Sequence, residues 1–575
     1  MGKGKRKRNG DGAIDGTNNS SSTSKNSGGS GTNNPLSDAR KSSSASKNIT
    51  KQDQNALALW HRKSGAGYAL FVSYYGSQPI GVVADKTAAD GNLTTSTSPA
   101  KSGGKQRGKG MSRAAKRRKK KKGQHHQTST SEPSESQSQQ DGNSTNIPTA
   151  DESHPLMQAY KSQAPRYPHL APYIHALSRP LPLTFRLRNP DASSTHEERI
   201  SKLLAKKHSD LVAPVAYDPD CSIYQATAHS NLSKVNLSRT SPELKQLLVD
   251  GSLNGTLARQ ELGSMLPVLA LSALKAIVPG CKVLDLCASP GSKTMQALEI
   301  AAAANPKTGK RGRVIANDVH AGRLDSLRDA VGRSGLDDDL TARITYTNFD
   351  ASQFPSPRSG KLFDAIICDV PCSGDGTIRK DKFILPMWTP ATGNALHGLQ
   401  LKILIRALEL IKVGGIVCYS TCSLNPVEDE AVVSAALRKL NSKKKGSIDG
   451  DSSSADDDDH VPAVELMEWP SSLLPKFQRQ AGASDWKIAT YEQGHTDDNA
   501  GDDSEDDAGD DFGKLKYYAS YEDARGGGME QAEKTMWAKK DDVEGMRLEM
   551  CSRLLPQAQD TGGFFVALLR RNTRR

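Results

Sequence analysis

The chain has 575 residues, of which only 35% are apolar and 5% aromatic. Globular chains run nearer to about 45–50% apolar, so part of this one cannot bury a core and is expected to be disordered. The formal net charge is +12, yet residues 1–125 alone hold 25 Lys and Arg against 6 Asp, so the remainder of the chain is net negative. No run approaches the ~18 continuous apolar residues of a membrane span. The basic start Met1–Arg8 leads into no apolar region, so no secretory signal is expected.

Residues 1–55 are mostly Ser, Asn, Gly and Lys. Residues 56–85 hold a small apolar island that includes Trp60, Tyr68, Phe71, Tyr74 and Tyr75, too short to be a domain. Residues 86–150 are polar again and contain the basic run Lys116–Lys122, which accompanies Lys5–Arg8. Such runs read as a nuclear localisation or RNA-contacting segment, with a solvated linker as the plain alternative. Residues 1–153 are therefore expected to form a largely disordered basic arm.

Ordered sequence begins near His154. Residues 154–250 mix short helical and extended patterns, among them Pro180–Leu187. From Ser264 the pattern alternates. The apolar spacing predicts helices over Ser264–Ile277, Ser292–Ala303, Gly322–Arg333 and Ala395–Ile411. Strands are predicted at Lys282–Leu286, Arg313–Asp318, Ala342–Asn348, Phe363–Cys368 and Ile416–Tyr419. This alternation implies a doubly wound, largely parallel α/β sheet over residues 251–575. Acidic low-complexity insertions interrupt it near 441–460 and 492–530 and read as disordered, solvated loops. Gly562–Leu569 is a further apolar strand.

In such a sheet, ligands bind beyond the carboxyl ends of the strands. The first strand runs into Asp285-Leu-Cys-Ala-Ser-Pro-Gly-Ser-Lys-Thr294 and opens a helix. The spacing is not that of a P-loop or of a dinucleotide fingerprint. What remains is a nucleoside-type cofactor held by this turn and by acids on later strands. Asp285, Asp318, Asp350 and Asp369 stand at four successive strand ends. Asp318 could accept ribose hydroxyls and Asp350 could meet an adenine amino group. The pattern suits S-adenosylmethionine, which carries no phosphate.

The eight cysteines, sparse in so long a chain, read as reduced thiols. The fourth strand leads to Cys372 and the fifth to Cys422, so neighbouring strands would aim both thiols into one crevice. Asn425 as N-cap and Pro426 at the first position predict a helix soon after Cys422, which would favour a thiolate. Glu428, Asp429 and Glu430 would oppose that effect unless they point away. The competing reading takes Cys368, Cys372, Cys418 and Cys422 as zinc ligands, but Cys368 and Cys418 sit inside apolar strands. A thiolate beside a methyl donor suits C5 of a pyrimidine: addition at C6 pushes electron density onto C5. Asp369, if protonated, could stabilise the intermediate at N3. The residues alone do not say which thiol attacks.

At these residues the chain, from about Met157 to Leu569, resembles the Sun-domain RNA (cytosine-5) methyltransferases, most closely the eukaryotic tRNA branch. The resemblance rests on Leu181–Arg186, Asn236–Arg239, Arg259–Glu261, Val283–Lys293, Ala316–Asp318, Cys368–Lys380, Tyr419–Glu430 and Thr561–Phe565. It implies a class I methyltransferase with a Rossmann-like sheet, and an RNA-binding portion over residues 154–250. It further implies Cys422 as nucleophile and Cys372 as the thiol that aids product release. Cys287, Ala288, Ser289, Pro290, Gly291, Ser292, Lys293, Asp318, Asp350 and Asp369 would bind S-adenosylmethionine. The family motif Phe-x-x-Tyr-Tyr-x-x-Gln fits Phe71–Gln78 well and Leu156–Gln163 loosely, and the sequence leaves open which copy belongs to the fold. The expected partner is RNA, in particular tRNA, with no membrane and no metal, acting as a monomer in the nucleus or nucleolus. Because the tail ends within a few residues of the last strand, RNA contacts are expected from the basic arm. A ribosomal-RNA enzyme, or a non-catalytic RNA-binding factor on the same fold, is the alternative.

Overall fold

A computed structural model describes residues 66–78, 152–188, 195–358, 360, 362–442, 462–492, 514–537 and 545–573. The basic runs Lys5–Arg8 and Lys116–Lys122 and the acidic runs at 456–459 and 497–511 lie outside the described residues.

The predicted strands form the parallel half of one large sheet. β5 (Lys282–Asp285) pairs in parallel with β6 (Arg313–Asn317), and β6 with β7 (Ile344–Thr347). On its other side β5 pairs with β8 (Phe363–Asp369), and β8 with β9 (Ile411–Thr421). The remaining strands are antiparallel, so the sheet is more mixed than expected. β15 (Phe564–Arg571) lies against β9, and its free edge is shared by β14 (Ser552–Leu554) and β10 (Val464–Leu466). The order is β7-β6-β5-β8-β9-β15-β14, extended by β11 (Gln480–Ala481). This is a Rossmann-like class I arrangement. Its topological switch point lies between β5 and β8, because the chain leaves β5 toward β6 and returns on the opposite side.

Alternation along the strands divides the core. Val283, Val314, Ala365 and Cys418 pack on one face under α6 (Leu262–Ala273) and α7 (Ser292–Ala301), with Leu327 of α8 (Ala321–Gly332). Leu284, Ile315, Ile366 and Cys368 pack on the other, under α9 (Pro390–Leu410) and α10 (Glu430–Asn441). Covering both faces is what lets these strands read as continuous apolar runs.

Before this sheet, β1 (Thr184–Leu187), β2 (Val212–Pro214), β3 (Ile223–Ala226) and β4 (Leu257–Arg259) form a small antiparallel sheet in the order β2-β3-β1-β4. It packs with Leu204 of α4 (Thr195–Lys207) and with Leu244 and Leu248 of α5 (Pro242–Leu253). β4 carries this sheet past residue 250 because it pairs with β1. Arg186 and Arg188 both pair with Glu299 of α7, at 2.6 and 2.8 Å, and fasten it to the large sheet.

Three findings differ from the sequence pattern. The apolar island supplies α1 (Ala66–Ser77), which is buried on nearly every side. It packs against α2 (Pro155–Gln163) and α3 (Ala171–Leu177), with Trp388 and Leu424 in the same cluster. Both copies of the tyrosine motif thus lie in the fold. Residues 514–530, expected within a disordered insertion, hold β13 (Lys514–Tyr518) and α11 (Tyr521–Gly526). β13 pairs with β12 (Ile488–Glu492) along five residues, so its alternating Lys-Leu-Lys-Tyr-Tyr is a strand hidden beside acidic sequence. Finally, regular helix after Cys422 begins only at Glu430. Asn425 caps a tight turn instead: its side chain accepts from Val427 N (3.1 Å) and its carbonyl from Glu428 N (2.9 Å).

Candidate active site

The turn after β5 opens toward the switch point. Gly291 takes φ +106° at the N-cap of α7, a conformation that favours glycine. The turn is held by Ala288 N donating to Asn317 O (2.7 Å) and Ser289 N to Asp318 Oδ2 (3.2 Å). Asp318 also accepts from His320 N (3.0 Å). Asp285 accepts from Thr294 Oγ1 (2.7 Å), and burial pushes its carboxyl up to about 7. Its second oxygen and the Ser289 hydroxyl are buried without a protein partner. Burial pushes the Cys287 thiol up, which disfavours its thiolate.

Lys293 projects from the start of α7. Its Nζ donates to Asp369 Oδ2 (2.7 Å) and Ser264 Oγ (3.1 Å), and the neighbouring Asp369 carboxylate raises it despite burial. Asp369 Oδ1 accepts from Ser420 Oγ (2.7 Å). In this geometry Asp369 is the acceptor of a charge-assisted hydrogen bond from Lys293. Asp350 stands apart. It is exposed, and its contacts are with its own turn, Ser352 N (2.9 Å) and Ser352 Oγ (2.8 Å) among them.

β8 and β9 leave the sheet together, with Asp369 opposite Ser420. Cys372 and Cys422 therefore emerge side by side, with their Sγ atoms 3.2 Å apart. Both are free and half-buried. The hydrogen bond to Cys422 and burial both raise the Cys372 thiol, and either sulfur of the pair can be the donor. Cys368 and Cys418 do not join them, because they pack on opposite faces of the sheet. The four thiols cannot surround one metal ion. Among the described residues no group of His, Cys, Asp and Glu converges on a metal site.

The two thiol loops brace each other. Glu428, from the Cys422 side, accepts from Ser373 N (2.7 Å), Ser373 Oγ (2.5 Å) and Ser423 Oγ (2.8 Å). Asp375, from the Cys372 side, accepts from Leu424 N (3.0 Å). Burial raises both carboxyls, Glu428 to about 7. Behind them Arg553 of β14 donates to Leu424 O (2.7 Å) and to Glu430 (2.7 Å). Glu428 is thus engaged by the serines that follow the two thiols, and Glu430 by Arg553.

Sequence reasoning missed several of these groups. Asn317, buried one residue before Asp318, donates to Leu286 O (3.0 Å) and Phe349 O (2.9 Å), joining the ends of β5, β6 and β7. Its signal was an amide at the end of an apolar strand, which needs partners when buried. Val319 and Phe349 are exposed apolar side chains beside Asp318 and Asp350. Only burial reveals the parts played by Glu428, Asp375 and Arg553.

The family model for 16S rRNA methyltransferase RsmB/F matches residues 273–471. A multisite-specific tRNA:(cytosine-C(5))-methyltransferase from Schizosaccharomyces pombe, trm4b, is 33% identical over 439 residues, 69% of this chain and 56% of that protein. This chain belongs to the Sun-domain RNA (cytosine-5) methyltransferase family. Another relative, the ribosomal RNA small subunit methyltransferase F of Escherichia coli, is 38% identical over 180 residues, 31% of this chain and 34% of that protein. Among solved structures, NSun6 from Pyrococcus horikoshii with SFG is similar at 16% identity and a TM-score of 0.43, covering 72% of this chain and 97% of that one. The chain spans about half the length of the curated tRNA methyltransferases it matches. No helix among the described residues is long and apolar enough to cross a membrane.

Proposed function

We propose that this protein methylates C5 of cytosine in RNA, with S-adenosylmethionine as methyl donor and tRNA as substrate. The observation that carries the reading is the thiol pair at the ends of β8 and β9, beside the Lys293–Asp369 pair. The turn at Cys287–Lys293 suits a cofactor without phosphate: it offers the unpartnered Asp285 and Ser289 oxygens. Asp318, Asp350 and Asp369 would bind its hydroxyl and amino groups, with Val319 and Phe349 flanking the base. When bound, the cofactor supplies an electrophilic sulfonium methyl group for the activated C5.

Cys422 adds to C6 and makes C5 nucleophilic. Lys293 donates toward the N3 side through the charge it shares with Asp369, which stabilises the developing negative charge. A base then removes the C5 proton, the C5–C6 double bond re-forms and Cys422 leaves C6; Cys372, beside Cys422, assists this elimination and frees the product. The small sheet and the basic arm hold the RNA backbone, contacts that carry no sequence information. The basic runs support nuclear residence. The tRNA assignment is supported by the longer match to a tRNA enzyme, since the ribosomal-RNA relative matches under a third of the chain.

The test uses Cys372→Ala with S-adenosylmethionine and total cellular RNA. A covalent protein–RNA band on a denaturing gel is expected, lost again in the Cys372→Ala, Cys422→Ala double variant. Sequencing the trapped RNA names the substrate, and tRNA is expected. Full methyl transfer by Cys422→Ala would overturn the mechanism. Trapped ribosomal RNA would overturn the tRNA assignment alone.

A further inference from the structure

The two tyrosines of α1 touch the thiol loops from a distance of some 300 residues in sequence. Tyr75 OH donates to Asp375 Oδ2, the carboxylate that caps Leu424 N just beyond Cys422. Tyr74 OH donates to Asn425 Oδ1 (2.8 Å), the side chain that caps the turn at Val427 N. One helix therefore supplies a donor to each thiol loop. Both rings are fully buried, and Tyr75 packs 5.8 Å from the Trp388 ring centroid.

The helix is itself fixed at its far end. Gln78 Nε2 donates to Lys487 O (2.8 Å), and Lys487 N donates back to Gln78 Oε1 (3.1 Å). Gly67 lies so close to Leu385 that an added Cβ would stand 2.1 Å from its carbonyl oxygen. Neither tyrosine contacts a thiol, so neither can take part in bond making. We propose that Tyr74 and Tyr75 are positioning residues, which set the spacing of Cys372 and Cys422 by holding Asp375 and Asn425. The inference rests on the methyltransferase reading only for its kinetic consequence. The spacing itself is a property of the thiols.

Asp375 is the sensitive point. It faces Tyr74 and Tyr75 of α1, Tyr173 of α3, and Ser423 and Glu428 from the opposite loop. The Tyr75 hydroxyl favours its ionised form. Removing that donor favours the neutral acid, and a neutral acid accepts less strongly from Leu424 N. The acid limb of the rate profile then moves to higher pH.

The experiment compares Tyr75→Phe and Tyr74→Phe with wild type in the full chain. Each keeps the buried ring and loses one hydroxyl. The expected result for Tyr75→Phe is kcat lowered by roughly tenfold, the scale of one hydrogen bond to a charged group. KM for RNA stays nearly unchanged, the melting temperature falls by no more than the loss of one buried hydrogen bond allows, and the acid limb moves to higher pH. A second readout needs no methyl transfer: diamide, a mild thiol oxidant, joins Cys372 to Cys422 at a rate set by their spacing, followed by mass spectrometry. Tyr75→Phe is expected to slow that step several-fold. Wild-type rates of both coupling and turnover in the two variants would overturn the proposal. So would a fall in kcat matched by a fall in melting temperature, with an unmoved acid limb. If wild type itself transfers no methyl group, the methyltransferase reading fails, and the coupling rate still decides the positioning role.

Discussion

Replacing Arg553 by Met should cost this protein more than any single core truncation of similar size. Arg553 is fully buried, and so are Glu430 and Asp429 beside it. The guanidinium donates to Glu430 through Nε (2.7 Å) and Nη2, and to Leu424 O through Nη1 (2.7 Å). Met fills much of the same volume over the Phe565 ring, so the cavity contribution is small. What changes is that Glu430 keeps only Ala483 N (2.8 Å) and faces no positive charge. Breaking a buried ion pair from one side typically costs about 3–5 kcal/mol. Leu424 O loses its donor as well, a further ~1 kcal/mol. The expected loss is therefore about 4–6 kcal/mol, read from urea unfolding followed by intrinsic fluorescence. The variant Arg553→Met, Glu430→Gln should recover part of it, because the Glu430 charge is removed while Asp429, 3.6 Å from Arg553 Nη2, still loses its partner. A single variant within about 1 kcal/mol of wild type would refute the reasoning. So would a double variant no better than the single one.

Gly563→Ala would place a Cβ 2.8 Å from Gly376 Cα and 2.9 Å from Leu424 Cδ1. A stability loss of about 1–3 kcal/mol is expected, with a larger loss of methyl transfer, since Gly376 N bonds Cys422 O (2.9 Å); calorimetry and a turnover assay check the two parts. His397 is buried and neutral, bonded to Val427 O (2.7 Å) and Thr535 Oγ1 (2.9 Å), and burial lowers it to about 4. The unfolded chain takes up this proton near pH 6.5 and the folded chain does not, so its stability contribution is lost as pH falls from 6.5 toward 4. The loss amounts to about 3 kcal/mol, and it should be missing from the pH–stability curve of His397→Gln.

The parallel strands were legible because they are buried on both faces, which gives short apolar runs such as Val283–Leu284 and Ala365–Cys368. The meeting of Cys372 and Cys422 was legible for a related reason: each follows the carboxyl end of a strand, and those strands are neighbours. The orientation of β15 was not legible, since an apolar strand pairs equally well in either direction. α1 was hidden for the opposite reason to the strands. A helix buried all round has no polar face to give it a period, and partners such as Gln163 and Asn425 lie 94 and 351 residues away along the chain. Glu428 was legible only as a negative charge near a thiol, and it does raise Cys372. Burial and four donors turned it into a clasp, which no local sequence pattern could express. The helix predicted at Pro426 was delayed to Glu430 by side-chain bonds, among them Thr421 Oγ1 to Asp429 Oδ1 (2.7 Å).

The crossed carboxylates have a consequence for engineering and for descent. Glu428 belongs to one loop and serves the other, and Asp375 does the same in reverse. A graft that brings in residues 370–378 from a relative without its 422–430 would join two half-clasps cut for different partners. Viable chimeras should therefore exchange both segments together, along with the α1 tyrosines that press on them. Changes in these three separate stretches of the chain are expected to be inherited as one unit.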